Sequence, residues 1–233
     1  MIHAIIVIGK PGCGKSVMIW YLGSLLSEDH REVAYLSDRL GLEEAVLKDT
    51  RHARPSQDGS KIGRHSKLIA DGPPGHRKVH VLDGLILNQV HRNMIAKIAK
   101  NRLLPKIIVA EYAIGPDIHF GKQKEPLRQS ARHLVGYVKK YHLTDSVFIL
   151  DVEANLTVRA YRESKRPDAM APETFRAYFP DGGEMTKEQA KELGSRYYQF
   201  INRDDDHDGY FSESRYVYEM YIRPGLKLTS PAK

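Results

Sequence analysis

A chain of 233 residues, 41% of them hydrophobic, is long enough to close one sizeable core, so a single domain over residues 1–233 is expected. Its net charge of +7 favours polyanionic company such as nucleotides, nucleic acid or an acidic membrane surface, without choosing between them. The lone cysteine, Cys13, excludes an intrachain disulfide, and no run of about 18 apolar residues offers a spanning helix. A reducing compartment, the cytoplasm, is the expectation, with neither signal peptide nor membrane anchor.

Five short stretches rich in Ile, Val and Leu read as buried strands: Ile2–Ile8, Glu32–Leu36, Lys78–Leu82, Lys106–Ala110 and Ser146–Leu150. Helical patterns lie between most of them. Val90, Met94, Ile95 and Ile98 fall on one stripe of 88–100, and Leu127, Ala131, Leu134, Val135, Val138 and Tyr141 do the same after Pro126. Strands alternating with amphipathic helices predict an α/β fold, a five-stranded parallel sheet with helices on both faces in three layers. Beyond the fifth strand the pattern reads as all helical. Helices are expected at 156–165 and 186–202, the second opened by a capping box of Thr186 and Gln189, and 152–222 would form a helical lid or cap. Residues 48–80 form a long polar insert, a loop of unusual size for a compact domain unless it is functional or disordered. The last residues, 226–233, read as a frayed tail.

The first strand runs into Gly9-Lys10-Pro11-Gly12-Cys13-Gly14-Lys15-Ser16, followed by a helix that begins with Val17. This satisfies the spacing G-x-x-x-x-G-K-[ST] in the strand-then-helix context that gives the spacing its meaning. Glycines let successive backbone N–H groups turn inward, the helix presents its positive end, and Lys15 adds an ammonium. A polyphosphate is the ligand such a cradle suits, with ATP and Mg²⁺ the expected pair and Ser16 a ligand of the ion. These residues are those of the P-loop nucleoside triphosphate hydrolase superfamily.

Ser37-Asp38-Arg39 follows the second strand, at the end that lines the ligand crevice of an open parallel sheet. Asp38 is a candidate base for an attacking hydroxyl and Arg39 a candidate holder of the acceptor; an ordinary helix cap at Asp38 is the alternative. In Val79-His80-Val81-Leu82-Asp83-Gly84, apolar strand followed by Asp, Asp83 is a candidate second magnesium-side carboxylate, near the substrate. Glu111, after the fourth strand, is either a further substrate-side carboxylate or a buried partner for an arginine. Arg159, Arg162 and Arg166 share one helical face, able to neutralise a transferring phosphoryl group or to stand as a solvated basic face.

In the order of these parts the chain resembles the P-loop nucleoside and nucleotide kinases, thymidylate kinases most of all, over roughly residues 1–168. The resemblance implies a Mg²⁺-dependent kinase that transfers the γ-phosphoryl of ATP to a nucleoside or nucleotide. Two departures concern the acceptor. Asp83-Gly84-Leu85-Ile86-Leu87 is not the Asp-Gly-Phe-Pro-Arg of adenylate kinases. Nor does Glu111-Tyr112-Ala113 reproduce the Glu-Arg-Ser of deoxynucleoside kinases or the Asp-Arg of thymidylate kinases.

Residues 48–80 carry eight Lys and Arg against three Asp, with four histidines. Such a segment suits several phosphate contacts of a polynucleotide as readily as it suits a solvated loop. Some relatives of thymidylate kinases phosphorylate a hydroxymethyl base within viral DNA, so a hydroxyl in nucleic acid is the alternative acceptor. An ATP-dependent switch without transfer is a third reading, and a homodimer is allowed. Ten of the thirteen tyrosines follow residue 136 and read as packing more simply than as base-stacking platforms. Asp204-Asp205-Asp206-His207-Asp208-Gly209 spells the front of a calcium loop, but Arg215 stands where the twelfth-position Glu is needed, so an exposed turn is expected.

Overall fold

The fold was obtained as a computed structural model, which describes residues 3–101, 107–113, 130–166, 169–179, 185–203 and 207–226. At its centre lies β1 (His3–Gly9), buried along its whole length, as a run of Ala, Ile and Val covered on both faces requires. It pairs in parallel with β6 (Ile107–Ala113) on one side and β7 (Ser146–Glu153) on the other. Outside these stand β2 (Val33–Ser37) and β8 (Arg196–Ile201), giving the order β2-β6-β1-β7-β8, all parallel.

Alternation along the strands divides the core in two. Ala4, Ile6, Ile8, Ile108, Ala110 and Ile149 face α3 (Leu85–Asn101), α4 (Ser130–Lys140) and α7 (Lys187–Glu192). Ile5, Val7, Val109, Phe148, Leu150 and Phe200 face Met18, Leu22, Leu25 and Leu26 of α1 (Lys15–Glu28). On that second face lie also Tyr210 and Val217 of α8 (His207–Val217) and, in the π-type turns that continue it, Tyr218 and Ile222. Among the described residues no helix is long and apolar enough to cross a membrane.

The five-stranded parallel sheet is as expected, but its membership differs. Lys78–Leu82 is not in it, and the fifth place belongs to β8, within the segment expected to be one helix from 186 to 202. The capping box does open α7: Gln189 N–H donates to Thr186 Oγ1 at 3.2 Å, and Thr186 N–H to Gln189 Oε1 at 3.0 Å. The helix then stops, because Gly194 adopts φ 62° and turns the chain. Beyond it Tyr197 packs on one face of the sheet while Tyr198 and Phe200 pack on the other. Residues 197, 200 and 201 satisfy the helical period, and a strand covered on both faces shows no clean alternation, which hid the strand. The 152–222 segment is therefore not an all-helical lid: it supplies a sheet edge and core-packing side chains as well as α5 (Leu156–Ser164) and α6 (Pro172–Tyr178).

The polar insert is ordered. After α2 (Asp38–Asp49) it forms β3 (Lys61–Ile62), β4 (Ser66–Ala70) and β5 (Lys78–Val81), an antiparallel sheet packed through Leu68 on Ala45 and Val46 of α2 and Ile86 and Val90 of α3. So small an apolar cluster needs help, and carboxylates that take loop N–H groups supply it. Asp49 accepts from Arg64 N–H, His65 N–H and Ser66 Oγ–H at 3.2, 2.9 and 2.7 Å. Glu43, 1% exposed, accepts from Gly75 N–H at 2.8 Å, Arg77 N–H at 3.2 Å and Arg39 Nε–H at 3.0 Å. Of the helix expected from Pro126 onward, α4 is described from Ser130; residues 114–129, Asp168 and the Asp204-Asp205-Asp206 run lie outside the described residues.

Candidate phosphate-binding and catalytic site

The loop from Gly9 to Ser16 closes between the end of β1 and the start of α1, and its glycines are there because nothing else fits. Gly9 has φ 142°, and a Cβ on it would meet Val152 O at 2.2 Å; Gly14 has φ 102°, and a Cβ there would meet Asn202 Nδ2 at 2.4 Å. Lys15 is 6% exposed, its Nζ donating to Gly9 O at 2.7 Å and Lys10 O at 3.1 Å. Cys13 is buried; burial pushes its thiol above the usual range while the Lys15 charge pulls part of the way back. Val17, exposed, is the third residue of α1.

Three donors from distant segments hold the loop's carbonyls. Arg162 Nη1 donates to Gly12 O at 3.0 Å, Asn202 Nδ2 to Cys13 O at 2.8 Å, and the Tyr210 hydroxyl to Gly14 O at 3.3 Å. Because a trans peptide points its C=O and the next N–H in opposite directions, fixing the carbonyls on this side turns the N–H groups of Gly14 and Lys15 to the other. Asn202 is itself fixed, its N–H donating to Glu153 O at 2.7 Å and its Oδ1 accepting from Arg162 Nη2 at 3.4 Å. Burial pushes the Tyr210 hydroxyl above the ordinary phenol range, so it stays protonated and a donor.

Asn202 and Tyr210 were not found by sequence reasoning, since nothing local marks a residue that acts across 189 or 196 positions. Removing the amide tests the role: Asn202→Ala is expected to weaken ATP binding about 5- to 10-fold, the worth of one hydrogen bond near 1 kcal/mol. Titration calorimetry with Mg-ATP measures it, and an affinity unchanged within about twofold means the loop keeps its shape without Asn202.

On the other side of the loop the Ser16 hydroxyl donates to Glu111 Oε1 at 3.3 Å, and the Ser37 hydroxyl to Glu111 Oε2 at the same distance. Register explains the convergence, since Glu111 on β6 stands opposite Val7 of β1 and Ser37 of β2. A hydroxyl and a carboxylate beside a phosphate cradle are the hard oxygen donors Mg²⁺ takes, so these residues fit the ion. Ser37, not Asp38, caps α2, leaving Asp38 in the first helical turn, 9% exposed, at the crevice end of β2.

The other candidates fall elsewhere. Asp83 follows β5 of the antiparallel sheet rather than a strand of the parallel one. Its Oδ2 lies 2.6 Å from His65 Nδ1 and its Oδ1 accepts Leu85 N–H at 2.8 Å. Burial works to raise its carboxyl, but these bonds outweigh it and hold the group below the usual carboxylate range. His65 in turn donates its N–H to Asp49, eleven residues along α2 from Asp38, or about 16 Å at ~1.5 Å per residue. Arg39 bonds Glu43 and the Arg77 carbonyl, tying α2 to the loop before β5. The three arginines do not act as one face, since α5 holds Arg159 and Arg162 but ends at Ser164, before Arg166. Arg159, 1% exposed, donates to Ala154 O and Phe179 O at 3.0 and 2.9 Å, Arg162 reaches the loop, and Arg166 pairs with Glu163 at 3.1 Å.

No protein-family model and no curated protein sequence matches this chain. Among solved structures, it is similar to a protein from Chloroflexus aurantiacus j-10-fl whose description as a kinase is provisional, with a TM-score of 0.53 at 12% identity over 96% of this chain and 97% of that one. APE1195 is similar at a TM-score of 0.49 and 14% identity over 93% of each chain. A sugar kinase from Janibacter sp. HTCC2649 is similar at 0.47 and 11%, over 99% and 97%. The first of these shares the fold, a five-stranded parallel sheet flanked by helices, and does not single out thymidylate kinases.

Proposed function

We propose that the protein is a Mg²⁺-dependent phosphotransferase that moves the γ-phosphoryl group of ATP to a hydroxyl of a nucleoside or nucleotide. The observation that carries the proposal is the meeting of the Ser16 hydroxyl with the Glu111 carboxylate beside the Gly9–Ser16 loop. Phosphoryl transfer asks for positioning and charge neutralisation rather than covalent chemistry by the protein. Backbone N–H groups of the loop and the Lys15 ammonium would take the phosphate oxygens, and Arg162, part-buried against Gly12, would add a second cation at the same loop. Ser16 and Glu111 would hold Mg²⁺, whose chemistry is to neutralise charge on the terminal phosphates. Asp38 would accept the proton of the attacking hydroxyl.

Glu111 takes the magnesium-side role for which the sequence suggested Asp83, because it lies on the strand beside β1 and within reach of Ser16. The resemblance to thymidylate kinases supports a nucleotide acceptor. The ordered basic sheet between α2 and α3 favours a second reading with the same donor chemistry, a hydroxyl carried by nucleic acid.

A transfer assay with labelled ATP, offering free nucleosides, nucleotides and base-modified DNA in parallel, tests the proposal and separates the acceptors. Label is expected in one of them only when magnesium is present; ATP loss that no acceptor accelerates leaves the protein a nucleotide-dependent switch. Asp38→Asn is expected to lower turnover about 10²- to 10⁴-fold while ATP affinity stays within about twofold. A large affinity loss with unchanged turnover would remove Asp38 from the role of base.

A further inference from the structure

We propose that the outward face of the β3–β4–β5 sheet is a docking surface for single-stranded nucleic acid. In an antiparallel pair, residues directly opposite share a face, and along a strand the faces alternate. Leu68 is 4% exposed and packs with Val79 and Val81 on the α2–α3 side, so the opposite side carries Ile62, Lys67, Lys78 and His80, with Ile69 at the irregularity where the β4–β5 register shifts. Ile62, Lys67 and His80 stand in one cross-strand row. At ~4.8 Å between strands the row spans about 10 Å. Ile62 is 53% exposed and Ile69 37%.

The charge of this face is unbalanced because the insert's carboxylates are committed elsewhere. Asp49 is turned to the loop N–H groups, Asp71 to Arg77, and Asp83 to His65. Among the described residues Asp58 reaches the face, through a solvent-exposed pair with Lys67 at 3.2 Å that solvent and salt screen. Arg51, Arg54 and Arg64, exposed on the segments either side of β3, form no ion pair with a carboxylate among the described residues. Cations interleaved with apolar side chains on a sheet face match a strand whose phosphates and unstacked bases are both available. A duplex hides its bases, and a membrane surface calls for an amphipathic helix or apolar wedge rather than a sheet face.

Binding is measured without ATP, so its outcome is separate from that of the phosphotransfer reading, on which this surface rests only for its purpose of presenting an acceptor. The experiment is fluorescence anisotropy on the full chain with a labelled oligothymidylate of about 20 nucleotides, more than the ~4–16 a small domain covers. The parallel arms are a duplex of the same length, poly-glutamate and phosphatidylserine vesicles. The wild type is expected to bind the single strand best. Lys67→Glu/Lys78→Glu is expected to bind it at least about tenfold more weakly, with the slope of log affinity against log salt reduced by about 1.4, near 0.7 per phosphate contact.

Lys187→Glu/Lys191→Glu, which makes the same charge change on exposed positions of α7, is expected to lose less than about twofold. Retained melting temperature shows that each variant is folded; if the glutamate pair does not fold, Lys67→Ala/Lys78→Ala is used and a loss of about three- to tenfold is expected. Failure of the wild type to bind the strand overturns the proposal. So does tighter binding to the duplex, peptide or vesicles, or an equal loss in the α7 variant.

Discussion

Lys15→Ala is expected to lower ATP-dependent turnover about 10²- to 10³-fold or more while leaving the protein folded. The ammonium is 6% exposed at the loop, where displaced water makes each charge worth more than it is in bulk solvent. In the structure it donates to Gly9 O and Lys10 O, carbonyls at the loop's rim, so its loss removes two bonds of about 1 kcal/mol each from the fold. At roughly 2–4 °C per kcal/mol for a chain of this size, melting followed by circular dichroism should fall by a few degrees only. Lys15→Arg is not expected to restore turnover, because a planar fork does not replace a point charge in a tight loop. Full turnover in the alanine variant would mean that the catalytic site lies elsewhere.

Glu111→Gln carries the second large effect. The amide keeps the shape of the side chain, with an oxygen to accept from one serine hydroxyl and an NH₂ to donate to the other, so stability should hold. What disappears is the negative charge beside Ser16. Turnover is expected to fall about 10²-fold, and the magnesium concentration giving half-maximal rate to rise about tenfold. Asp83→Asn is the paired control, its magnesium midpoint expected within about twofold of wild type because that carboxylate serves His65 and Leu85. Rates measured across a magnesium titration decide between the two. A shifted midpoint for Asp83→Asn with none for Glu111→Gln would return the metal-side role to Asp83.

Asp38 and Arg39 show how far proximity in sequence can be trusted. Both follow β2 at the crevice end, as read from the chain, yet one stays in the first turn of α2 while the other is drawn to Glu43 and Arg77. The buried Glu43 decides that difference, and its need for donors is visible only once α2 and the loop before β5 are packed together. Similarly, an i, i+3, i+7 spacing placed Arg159, Arg162 and Arg166 on one side of a helix, but α5 ends before Arg166, and Arg159 and Arg162 part according to what the helix rests against.

The sequence by itself determined the Gly9–Ser16 loop between β1 and α1, because the strand, the glycines, Lys15 and Ser16 form one contiguous signal whose physics is local. It also determined the alternation of strands and helices that makes a parallel sheet, and the capping box of α7. Only the tertiary structure decided which strands share the sheet. The 197–201 segment has a helical spacing, and pairing with β7 makes it a strand. It decided too that Glu111 meets Ser16, and that Arg162, Asn202 and Tyr210 hold the loop. These contacts join residues 95 to 196 positions apart, and register and packing, which create them, leave no mark in any short window of the chain.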